Sequence, residues 1–515
     1  MSSEPQWQRH LPEGQAWTPV EAGESLARVW VDRWRARPEA VALVDLTGEN
    51  EVVHTRADVE ARSAQAAGRL AALGVGAGDR VVFSGAPSAD YVFLYLGALR
   101  LGAVIVPANT AYTAAELGHI VGDSGARHLV LDDPGRAPEP SLAVIVPGTG
   151  DEDAGAPAGL DAAVADDLAM IAYTSGTTGR PKGAMLSHGN LLASARAVGL
   201  AWRWTADDGL VLALPLFHIH GLGVGLHGSL VAGARILLLR GFAPAAVAQA
   251  AARPDATLFF GVPTMHTRLV EHAQAEPAAR DALASLRLMV SGSAPLSDEL
   301  WQRVADVTGQ RIVERYGMTE TVMNISNPYD GDRRPGTVGI PLPGVEVRLD
   351  AEGDGPGEIL VRGQNVFSGY WNRPEATAET FAPGGWLRTG DVGVVSPDGY
   401  YAIVGRSKEL IISGGYNIYP REVEEALEAH PAIREAAVVG RPSDEWGESV
   451  AAFVVAADGA GVPEAAELTA FVSERLAGYK KPREYHVIDA VPRNALGKID
   501  RRRVGDLLER GGEST

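Results

Sequence analysis

The sequence of 515 residues contains no cysteine. A chain without cysteine forms no disulfide bond, no thiolate zinc site and no cysteine nucleophile. Positive charge is also scarce, because 46 Lys and Arg stand against 65 Asp and Glu and give a net charge of −19. A nucleic-acid-binding surface is normally basic, so the composition argues against that class of protein.

Long hydrophobic runs are missing as well. The most apolar window, residues 221–239, is interrupted by His227 and Arg235. It falls short of the roughly 20 apolar residues that a membrane-spanning helix needs. The first ten residues lack the basic start and apolar core of a signal peptide. We therefore expect a cytoplasmic protein that works without a membrane.

The length predicts more than one domain, since domains usually run about 100–200 residues. Up to residue 335 or so, short apolar runs alternate with helical segments, a pattern typical of a parallel sheet covered by helices. Beyond that point, turn sequences separate short β runs, and a mixture of helices and strands follows. We predict an α/β fold. Residues 1–407 would form a large N-terminal domain of parallel sheets packed with helices plus a small β subdomain, and residues 408–515 a small α+β C-terminal domain.

Residues 173–183 form the segment richest in chemical function. It holds three glycines, four Ser or Thr hydroxyls and Lys182, and it follows a predicted strand over residues 168–172. Glycine lets a backbone approach an anion closely and turn its N–H groups inward. The hydroxyls add donors and the lysine adds a point charge. These are the requirements of a site that binds a polyphosphate.

The order of residues in this loop differs from that of a Walker A motif. In that motif Lys follows Gly and precedes Ser or Thr, whereas here Pro181 precedes Lys182 and Gly183 follows it. A P-loop kinase or GTPase is therefore disfavoured. The alternative to a phosphate site is a flexible surface loop rich in Ser, Thr and Gly.

Four further clusters have chemical potential. They are residues 316–321 (YGMTET), 388–391 (RTGD), 405–409 (GRSKE) and 494–499 (NALGKI). A hydroxyl beside a carboxylate in a tight turn can bind a phosphate with its Mg²⁺, and one carboxylate can hold both hydroxyls of a ribose. Taken singly, each cluster is explained as well by a capping residue or a solvated surface charge.

In this order and spacing the five motifs resemble those of the adenylate-forming enzymes, which are the acyl-CoA synthetases, adenylation domains and luciferases. The resemblance covers roughly residues 25–505. It implies a large N-terminal domain, a small C-terminal lid and an active site between them. It also implies two steps: a carboxylate attacks the α-phosphorus of MgATP to give acyl-AMP and pyrophosphate, and a thiol, typically coenzyme A, then displaces AMP. ATP, Mg²⁺ and coenzyme A are the cofactors and co-substrates implied.

The resemblance also assigns site residues. The implied ATP-binding residues are Thr174, Ser175, Gly176, Thr177, Thr178, Gly179, Lys182, Ser293, Ala294, Pro295, Tyr316, Gly317, Thr319, Asp391 and Arg406. The implied catalytic residues are Lys498, Thr319, Glu320 and His218. Among these, Glu320 would hold Mg²⁺, Asp391 would bind the ribose hydroxyls, and Lys498 would stabilise charge between the substrate carboxylate and the α-phosphate.

Two smaller sets of residues complete the implied site. Lys408 matches the hinge between the domains of these enzymes, and Gly414 with Gly415 would line the tunnel for the thiol. Glycine suits that place because the thiol arm must pass close to the backbone.

The acid substrate is predicted from His218 at a strand end, from Arg268 one turn into a helix, and from Ser291. Arg268 could pair bidentately with a second carboxylate, and His218 could add a hydrogen bond. Alternatively, Arg268 is an exposed helix residue and His218 only closes the pocket. The stretches around these residues resemble those of malonyl-CoA synthetases, so we predict malonate or a 2-substituted malonate as the acid.

Other functions remain open at this level. The chain could adenylate a fatty or aromatic acid, or pass the adenylate to an amine, a small inorganic nucleophile or a carrier protein. We expect any carrier protein to act in trans, because no carrier domain follows residue 505. A non-enzymatic nucleotide sensor is a further alternative, and the presence of Lys498, Thr319 and Glu320 together argues against it.

Overall fold

The computed structural model describes residues 6–149, 155–174, 181–351, 353, 355–406, 409–413, 416–443, 446–461, 463–494 and 498–511, without the side chains of 416, 417 and 509–511. The chain divides into two compact units. The first unit is Met1–Val347 with Val361–Leu387, and the second unit is Arg348–Leu360 with Arg388–Thr515. The predicted division after residue 407 stays a prediction.

The strands are numbered in chain order. They are β1 (Val41–Asp45), β2 (Val52–Thr55), β3 (Arg80–Ser84), β4 (Val104–Pro107), β5 (His128–Leu131), β6 (Ala143–Ile145), β7 (Leu168–Thr174), β8 (Lys182–Ser187), β9 (Gly209–Leu212), β10 (Arg235–Leu238), β11 (Leu258–Gly261), β12 (Leu288–Ser291), β13 (Val313–Tyr316), β14 (Ile325–Ser326), β15 (Ile340–Pro341), β16 (Val345–Asp350), β17 (Gly357–Gly363), β18 (Gly369–Tyr370), β19 (Phe381–Ala382), β20 (Trp386–Val395), β21 (Tyr401–Arg406), β22 (Ile411–Ser413), β23 (Tyr416–Ile418), β24 (Ile433–Ser443), β25 (Gly447–Ala456) and β26 (Glu484–Val487).

The helices are numbered in the same way. They are α1 (Leu26–Ala36), α2 (Arg56–Ala72), α3 (Ala89–Arg100), α4 (Ala114–Ser124), α5 (His188–Ala201), α6 (His227–Ala232), α7 (Pro244–Ala251), α8 (Pro263–Ala275), α9 (Pro277–Ser285), α10 (Asp298–Thr308), α11 (Pro374–Thr380), α12 (Pro420–Glu428), α13 (Ala465–Ser473) and α14 (Arg501–Gly511). A π-helical turn, His220–Leu226, precedes α6. Among the described residues, no helix is both long and apolar enough to cross a membrane.

The first unit contains two large sheets. One has the order β15-β14-β13-β12-β11-β9-β10-β1-β2, and the other has the order β18-β8-β7-β4-β3-β5-β6. From β1 to β13 the first of these sheets is parallel, and its antiparallel strands are at the two edges. The second sheet is parallel from β6 to β7 and antiparallel beyond. The predicted parallel sheets are therefore confirmed for the sheet interiors.

Helices cover these sheets as the alternating pattern predicts. Buried residues of β9, β10, β11 and β12 share one core with α7, α8, α9 and α10. The run Leu258–Gly261 is buried at every position, as expected for a parallel strand with both faces covered. Ser297 caps α10 by accepting a hydrogen bond from the Leu300 backbone N–H.

Residues 175–181 are flanked by a strand on each side. They join β7 to β8, which pair antiparallel with Thr174 opposite Lys182. The strand β8 was not predicted, and it separates the loop from α5. That helix begins at His188 because Ser187 and Asn190 form a reciprocal capping box. In the described part of the chain, the element that follows residues 175–181 is therefore β8, and α5 begins only after it.

The second unit contains an α+β layer, which confirms the predicted mixture. Its main sheet has the order β23-β22-β25-β24, with β26 parallel to β25. One face of β24 and β25 packs on α12 and α13 through a core that includes Val438, Leu427 and Val472. The opposite face packs on α14 through Ala437 and Val504. The helix α14 is therefore fixed to the face of the long β24–β25 pair.

Candidate active site

The carboxyl ends of four parallel strands meet at one edge of the nine-stranded sheet. At this edge Gly261 is in register with Ser291, and Ser291 with Glu314. Ligands of open α/β sheets bind outside the carboxyl ends of the strands. The segments that leave β9, β11, β12 and β13 contain His218, Arg268, Ser291, Ser293 and Tyr316, so the fold brings most predicted site segments of the first unit to one edge.

Arg315 is a charged residue inside this buried edge, with a relative exposure of only 5%. Its Nε and Nη2 atoms have no hydrogen-bond partner among the described residues. Burial lowers the pKa of Arg315 to about 9, although the adjacent Glu314 acts in the opposite direction. A Cβ on Gly292 would lie 2.5 Å from the guanidinium carbon, so the backbone of the loop after β12 rests directly on this cation. A buried guanidinium with open donors is suited to bind an anion.

Three histidines lie near the guanidinium. His220 is 2% exposed and shares a 3.2 Å hydrogen bond with the Ser293 hydroxyl. Burial first, and Arg315 second, hold the pKa of His220 well below its usual range. Burial lowers the pKa of His266 to about 4. These two imidazoles are therefore neutral near pH 7, and the positive charge in their midst is that of Arg315.

The predicted residues His218, Ser291 and Ser293 lie in this same cluster. The backbone N–H of His220 donates to Nδ1 of His218 at 3.2 Å. Ser291 is fully buried, and its hydroxyl has no partner within the described part of the chain. Ser293 has a φ of +69°, an uncommon conformation for a residue with a side chain. Such backbone outliers cluster at ligand sites.

Arg268 is not part of the buried cluster. It is an exposed residue of α8, and its guanidinium carbon lies 5.1 Å from the ring centroid of Phe242. That Arg268 binds the substrate stays a prediction. Arg315 was not among the predicted site residues. It follows Glu314 in the strand Val313–Tyr316, and two adjacent charged residues there give no signal that both are buried.

A second group of predicted residues meets around Glu320. The carboxylate of Glu320 is 5% exposed and accepts a 2.8 Å hydrogen bond from the Tyr370 hydroxyl. The ammonium of Lys182 lies 5.4 Å from the centroid of the same tyrosine ring. Tyr370 therefore joins the end of the phosphate loop to the predicted metal-binding carboxylate. The sequence analysis did not identify Tyr370.

The turn that contains Thr319 and Glu320 depends on glycine at position 317. A Cβ there would lie 2.1 Å from the Val322 carbonyl oxygen, so only glycine fits. Tyr316 and Thr319 are half-buried on either side of this turn. The structure therefore explains why the predicted phosphate-binding turn needs glycine at position 317.

The two strands that flank the predicted phosphate loop are held by described contacts. Thr174 and Lys182 are opposite each other in the β7–β8 pair. The neighbouring Tyr173 hydroxyl donates to Asp123 at 2.8 Å, and Arg373 pairs with the other oxygen of that carboxylate at 2.7 Å. Ser175, Gly176, Thr177, Thr178 and Gly179, which were predicted to bind ATP, lie outside the described residues, and Ala294 and Pro295 follow Ser293 in the loop after β12.

In the second unit, the two residues predicted for the ribose meet. Asp391 of β20 is opposite Arg406 of β21, and the Arg406 Nε donates to an Asp391 oxygen at 2.8 Å. Asp391 is 5% exposed, and its backbone N–H donates to Thr389 at 3.1 Å. The carboxylate is therefore held in a fixed orientation within this unit.

Lys498 lies at the base of a short turn in the second unit. The Asn494 backbone N–H donates to the Lys498 carbonyl at 2.9 Å, and the Lys498 N–H donates to the Asn494 side chain at 3.1 Å. The side chain of Lys498 is exposed. The predicted hinge residue Lys408 and the predicted tunnel residues Gly414 and Gly415 lie outside the described residues.

Comparisons with known proteins agree with these motifs. Residues 30–371 match the AMP-binding enzyme family, and residues 422–498 match the AMP-binding enzyme C-terminal domain. A feruloyl-CoA synthase from Amycolatopsis is 38% identical over 493 residues, which cover 91% of this chain and 96% of the relative. The human mitochondrial malonate–CoA ligase ACSF3 is 36% identical over 551 residues, covering 96% and 94%. The crystal structure of ATP-bound MatB from Rhodopseudomonas palustris is 38% identical, with a TM-score of 0.86 and coverage of 94% and 99%.

The fold and the motifs at its strand ends define an adenylate-forming enzyme of the acid–CoA ligase class. The resemblance stated from the motifs is confirmed, since both the large domain and the C-terminal domain match. The chain belongs to the AMP-binding enzyme family.

Proposed function

We propose that the protein is an AMP-forming CoA ligase for malonate or a 2-substituted malonate. The observation that carries this proposal is the buried Arg315, whose Nε and Nη2 have no partner among the described residues. A buried charge without a partner is unfavourable by several kcal/mol. A carboxylate on the substrate would supply the missing partner, and a guanidinium can bind it bidentately.

A diacid uses its two carboxylates differently in this proposal. One is held by Arg315, with Arg268 proposed as a further contact, and the other attacks the α-phosphorus of ATP. The attacking carboxylate is already ionised near pH 7 and needs positioning more than a base. His218 and Ser291 belong to the same cluster at the strand ends, and their polar side chains would orient the acid. A monoacid would leave Arg315 unpaired and would bind less well.

For ATP, we propose the hairpin loop with Lys182 for the phosphates, the loop after β12 with Tyr316 for the adenine, and Asp391 with Arg406 for the ribose. Thr319 would contact the α-phosphate and Lys498 would stabilise the charge that develops during adenylation. The hydrogen bond between Asp391 and Arg406 supports the ribose assignment, because it orients the carboxylate.

Glu320 is the proposed Mg²⁺ ligand. Within the described residues, no group of three or more acidic, His or Cys side chains could hold a metal ion alone. Mg²⁺ is commonly bound by one or two carboxylates plus substrate phosphates, so a single buried carboxylate beside a phosphate loop fits that ion. The metal, when bound with ATP, would neutralise phosphate charge, and Tyr370 would orient the carboxylate that holds it.

The proposed acceptor is coenzyme A, with Lys408 as the hinge between domains 1–407 and 408–515 and Gly414 and Gly415 beside the thiol. We also propose a cytoplasmic location. A carrier protein in trans stays an alternative acceptor. An aromatic acid is the second candidate substrate, because the feruloyl-CoA synthase is as similar to the chain as the malonate ligase is.

The deciding experiment measures kcat/KM for malonate, methylmalonate, acetate and ferulate with MgATP and coenzyme A, with products identified by mass. We expect a diacid to be preferred, and Arg315→Met to lower kcat/KM for malonate by about a hundredfold or more, since loss of one buried charged partner costs about 2–5 kcal/mol. Activity with acetate should change far less. Arg268→Ala, measured in parallel, tests the exposed arginine.

Other outcomes would redirect the proposal. A wild-type preference for ferulate over malonate would replace the diacid by an aromatic acid. An equal loss for malonate and acetate in Arg315→Met would remove Arg315 as the residue that selects diacids. Release of AMP without a thioester product would point to an acceptor other than coenzyme A.

A further inference from the structure

The residue Arg501 begins α14, three positions after Lys498. Its guanidinium is held from three directions. Nε donates to Glu409 at 2.7 Å, Nη1 to the Val438 carbonyl at 2.9 Å, and Nη2 to Glu424 at 3.1 Å. Glu424 is fully buried and also accepts a 2.8 Å hydrogen bond from the Val438 backbone N–H. The start of α14 is therefore locked onto β24 by a network that is largely removed from water.

The turn that carries Lys498 lies directly before this network. Arg493 and Ile499 form a β-bridge across it, and the Asp500 backbone N–H donates to the Pro492 carbonyl at 2.8 Å. On the opposite side, the Arg493 guanidinium contacts Glu435. Glu435 and the Val438 carbonyl both belong to β24, so the turn is attached to that strand at both of its ends.

The chemistry of the network suits a fixed geometry. Arginine presents a planar fork of donors that binds a carboxylate in one orientation, unlike the point charge of lysine. Although burial acts in the opposite direction, the carboxylates of Glu424 and Glu409 raise the pKa of Arg501, so it stays charged. A catalytic group displaced by about 1 Å can lose roughly a hundredfold in rate. A rigid support next to Lys498 would prevent such a displacement.

We propose that Arg501 is a positioning residue for Lys498. Its guanidinium fixes the base of the Lys498 turn to β24 through Glu424 and Val438. Glu409 directly follows the predicted hinge residue, Lys408. Because Arg501 also binds Glu409, the chain that follows the hinge and the Lys498 turn move as one body. This inference rests on the proposed function, in which Lys498 acts in the formation of the adenylate.

The test separates the two half-reactions in the full-length enzyme. Adenylation is measured by exchange of pyrophosphate into ATP with malonate, and thioester formation by reaction of the prepared acyl-adenylate with coenzyme A. Arg501→Lys keeps the charge and removes the fork. We expect it to lower kcat of adenylation by about 10–100-fold, because the lysine is displaced rather than lost. KM for ATP and the rate of thioester formation should change less than about threefold.

A matched control exists on the same strand. Arg441 of β24 pairs with Glu484 at 2.7 Å and has no part in the Lys498 turn. Arg441→Lys should leave both half-reactions unchanged. Glu409→Gln, which removes only the outer carboxylate of the network, should give a smaller loss confined to adenylation, and it serves as the test if Arg501→Lys fails to fold.

A double mutant shows whether Arg501 acts through Lys498. In a Lys498→Ala background, Arg501→Lys should cause no further loss of adenylation, because residues that act as a unit are non-additive. Independent, multiplying losses would overturn the positioning role. Full adenylation by Lys498→Ala alone would refute the proposed function of Lys498. A large loss in Lys498→Ala with normal adenylation in both Arg501→Lys and Glu409→Gln would refute only the inference about Arg501.

Discussion

Two arginines, the buried Arg315 and the half-buried Arg501, are satisfied by the protein in opposite ways. Arg315, in the first unit, has two guanidinium nitrogens without a hydrogen-bond partner among the described residues, and burial lowers its pKa to about 9. Arg501, in the second unit, donates to two carboxylates and a backbone carbonyl, and those carboxylates raise its pKa despite burial. Both guanidinium groups are largely covered by protein, yet only that of Arg501 has hydrogen-bond partners at all three of its nitrogens.

The difference separates a binding residue from a structural one. A buried charge with a full set of partners is broken at great cost, whereas a buried charge without partners destabilises the free protein and is retained for what it binds. By this criterion Arg501 holds the second unit together and Arg315 is kept open for an anion. The contrast can be tested by changing each arginine to a residue of similar volume.

The largest effect is expected for Arg501→Met in the second unit. The change leaves Glu424 buried without its partner, and loss of one member of a buried pair destabilises a protein by about 3–5 kcal/mol. Urea unfolding followed by circular dichroism should show a lower midpoint for the transition of this unit. The variant Arg501→Met/Glu424→Leu, which removes both charges, should recover much of the loss. A stability equal to wild type in the single variant would show that the network is not structural.

The opposite result is expected for Arg315→Met. Replacing a buried arginine that has two nitrogens without hydrogen bonds by an apolar side chain of similar volume should leave the stability nearly unchanged, because few contacts of the guanidinium are lost. The same unfolding measurement, without substrate, provides the value. Malonate should raise the Tm of the wild type in a concentration-dependent way and should not raise that of the variant. A strongly destabilised variant would mean that Arg315 has a structural partner, and the comparison with Arg501 would fail.

Much of the fold follows from the sequence, because local patterns decide it. Buried runs such as Leu258–Gly261 are apolar at nearly every position, and a parallel strand covered on both faces needs that pattern. The helix cap at Ser297 is a local signal of the same kind. The strand Lys182–Ser187 escaped prediction because its identity depends on pairing with β7 and β18, and a short run does not record its partners.

The sequence motifs of the site could be predicted, whereas the contacts between their residues could be predicted only in part. The carboxylate of Glu320 and the serines of the loop after β12 belong to recognisable motifs. Tyr370 lies 50 residues from Glu320 in the chain, and no local pattern links the two. The exposure of Arg268 and the burial of Arg315 were not predictable for the same reason, because the exposure of a side chain depends on neighbours that only the folded chain provides.

The half-buried carboxylate of Glu428 in the second unit gives the stability of the protein a dependence on pH. Burial raises the pKa of Glu428 from 4.5 to about 7, although Arg421 acts in the opposite direction, and Glu424 and Glu435 add to the rise. The folded protein therefore binds this proton more tightly than the unfolded chain. The contribution of this proton to the free energy of unfolding is fully present below about pH 4.5 and is lost as the pH rises through about 7.

The predicted effect of Glu428→Gln follows from the loss of stability of the wild type as the pH rises. The variant should be about as stable as wild type near pH 5 and more stable near pH 8, by as much as ~3 kcal/mol, because each pKa unit corresponds to about 1.4 kcal/mol. Unfolding curves at several pH values give the difference. Arg421 also pairs with Glu425 at 2.8 Å, so it keeps one carboxylate in the variant. A difference in stability between variant and wild type that is the same at every pH would show that Glu428 is stabilised by its partners, as Arg501 is.

The smallest effect is expected at Tyr370, which binds a buried carboxylate that we assign to Mg²⁺. Tyr370→Phe keeps the ring beneath Lys182 and removes the 2.8 Å hydrogen bond to Glu320. A hydrogen bond to a charged group contributes about 1.5–3 kcal/mol, so we expect the Kd for MgATP to rise at least about tenfold. Isothermal titration calorimetry with and without Mg²⁺ measures this, and Tyr485→Phe in the second unit is the control. If Glu320 is the Mg²⁺ ligand, the Kd for metal-free ATP should change little in Tyr370→Phe. An equal loss of ATP affinity with and without Mg²⁺ would instead show that Tyr370 has a structural role, like Arg501, and supports the fold around the site.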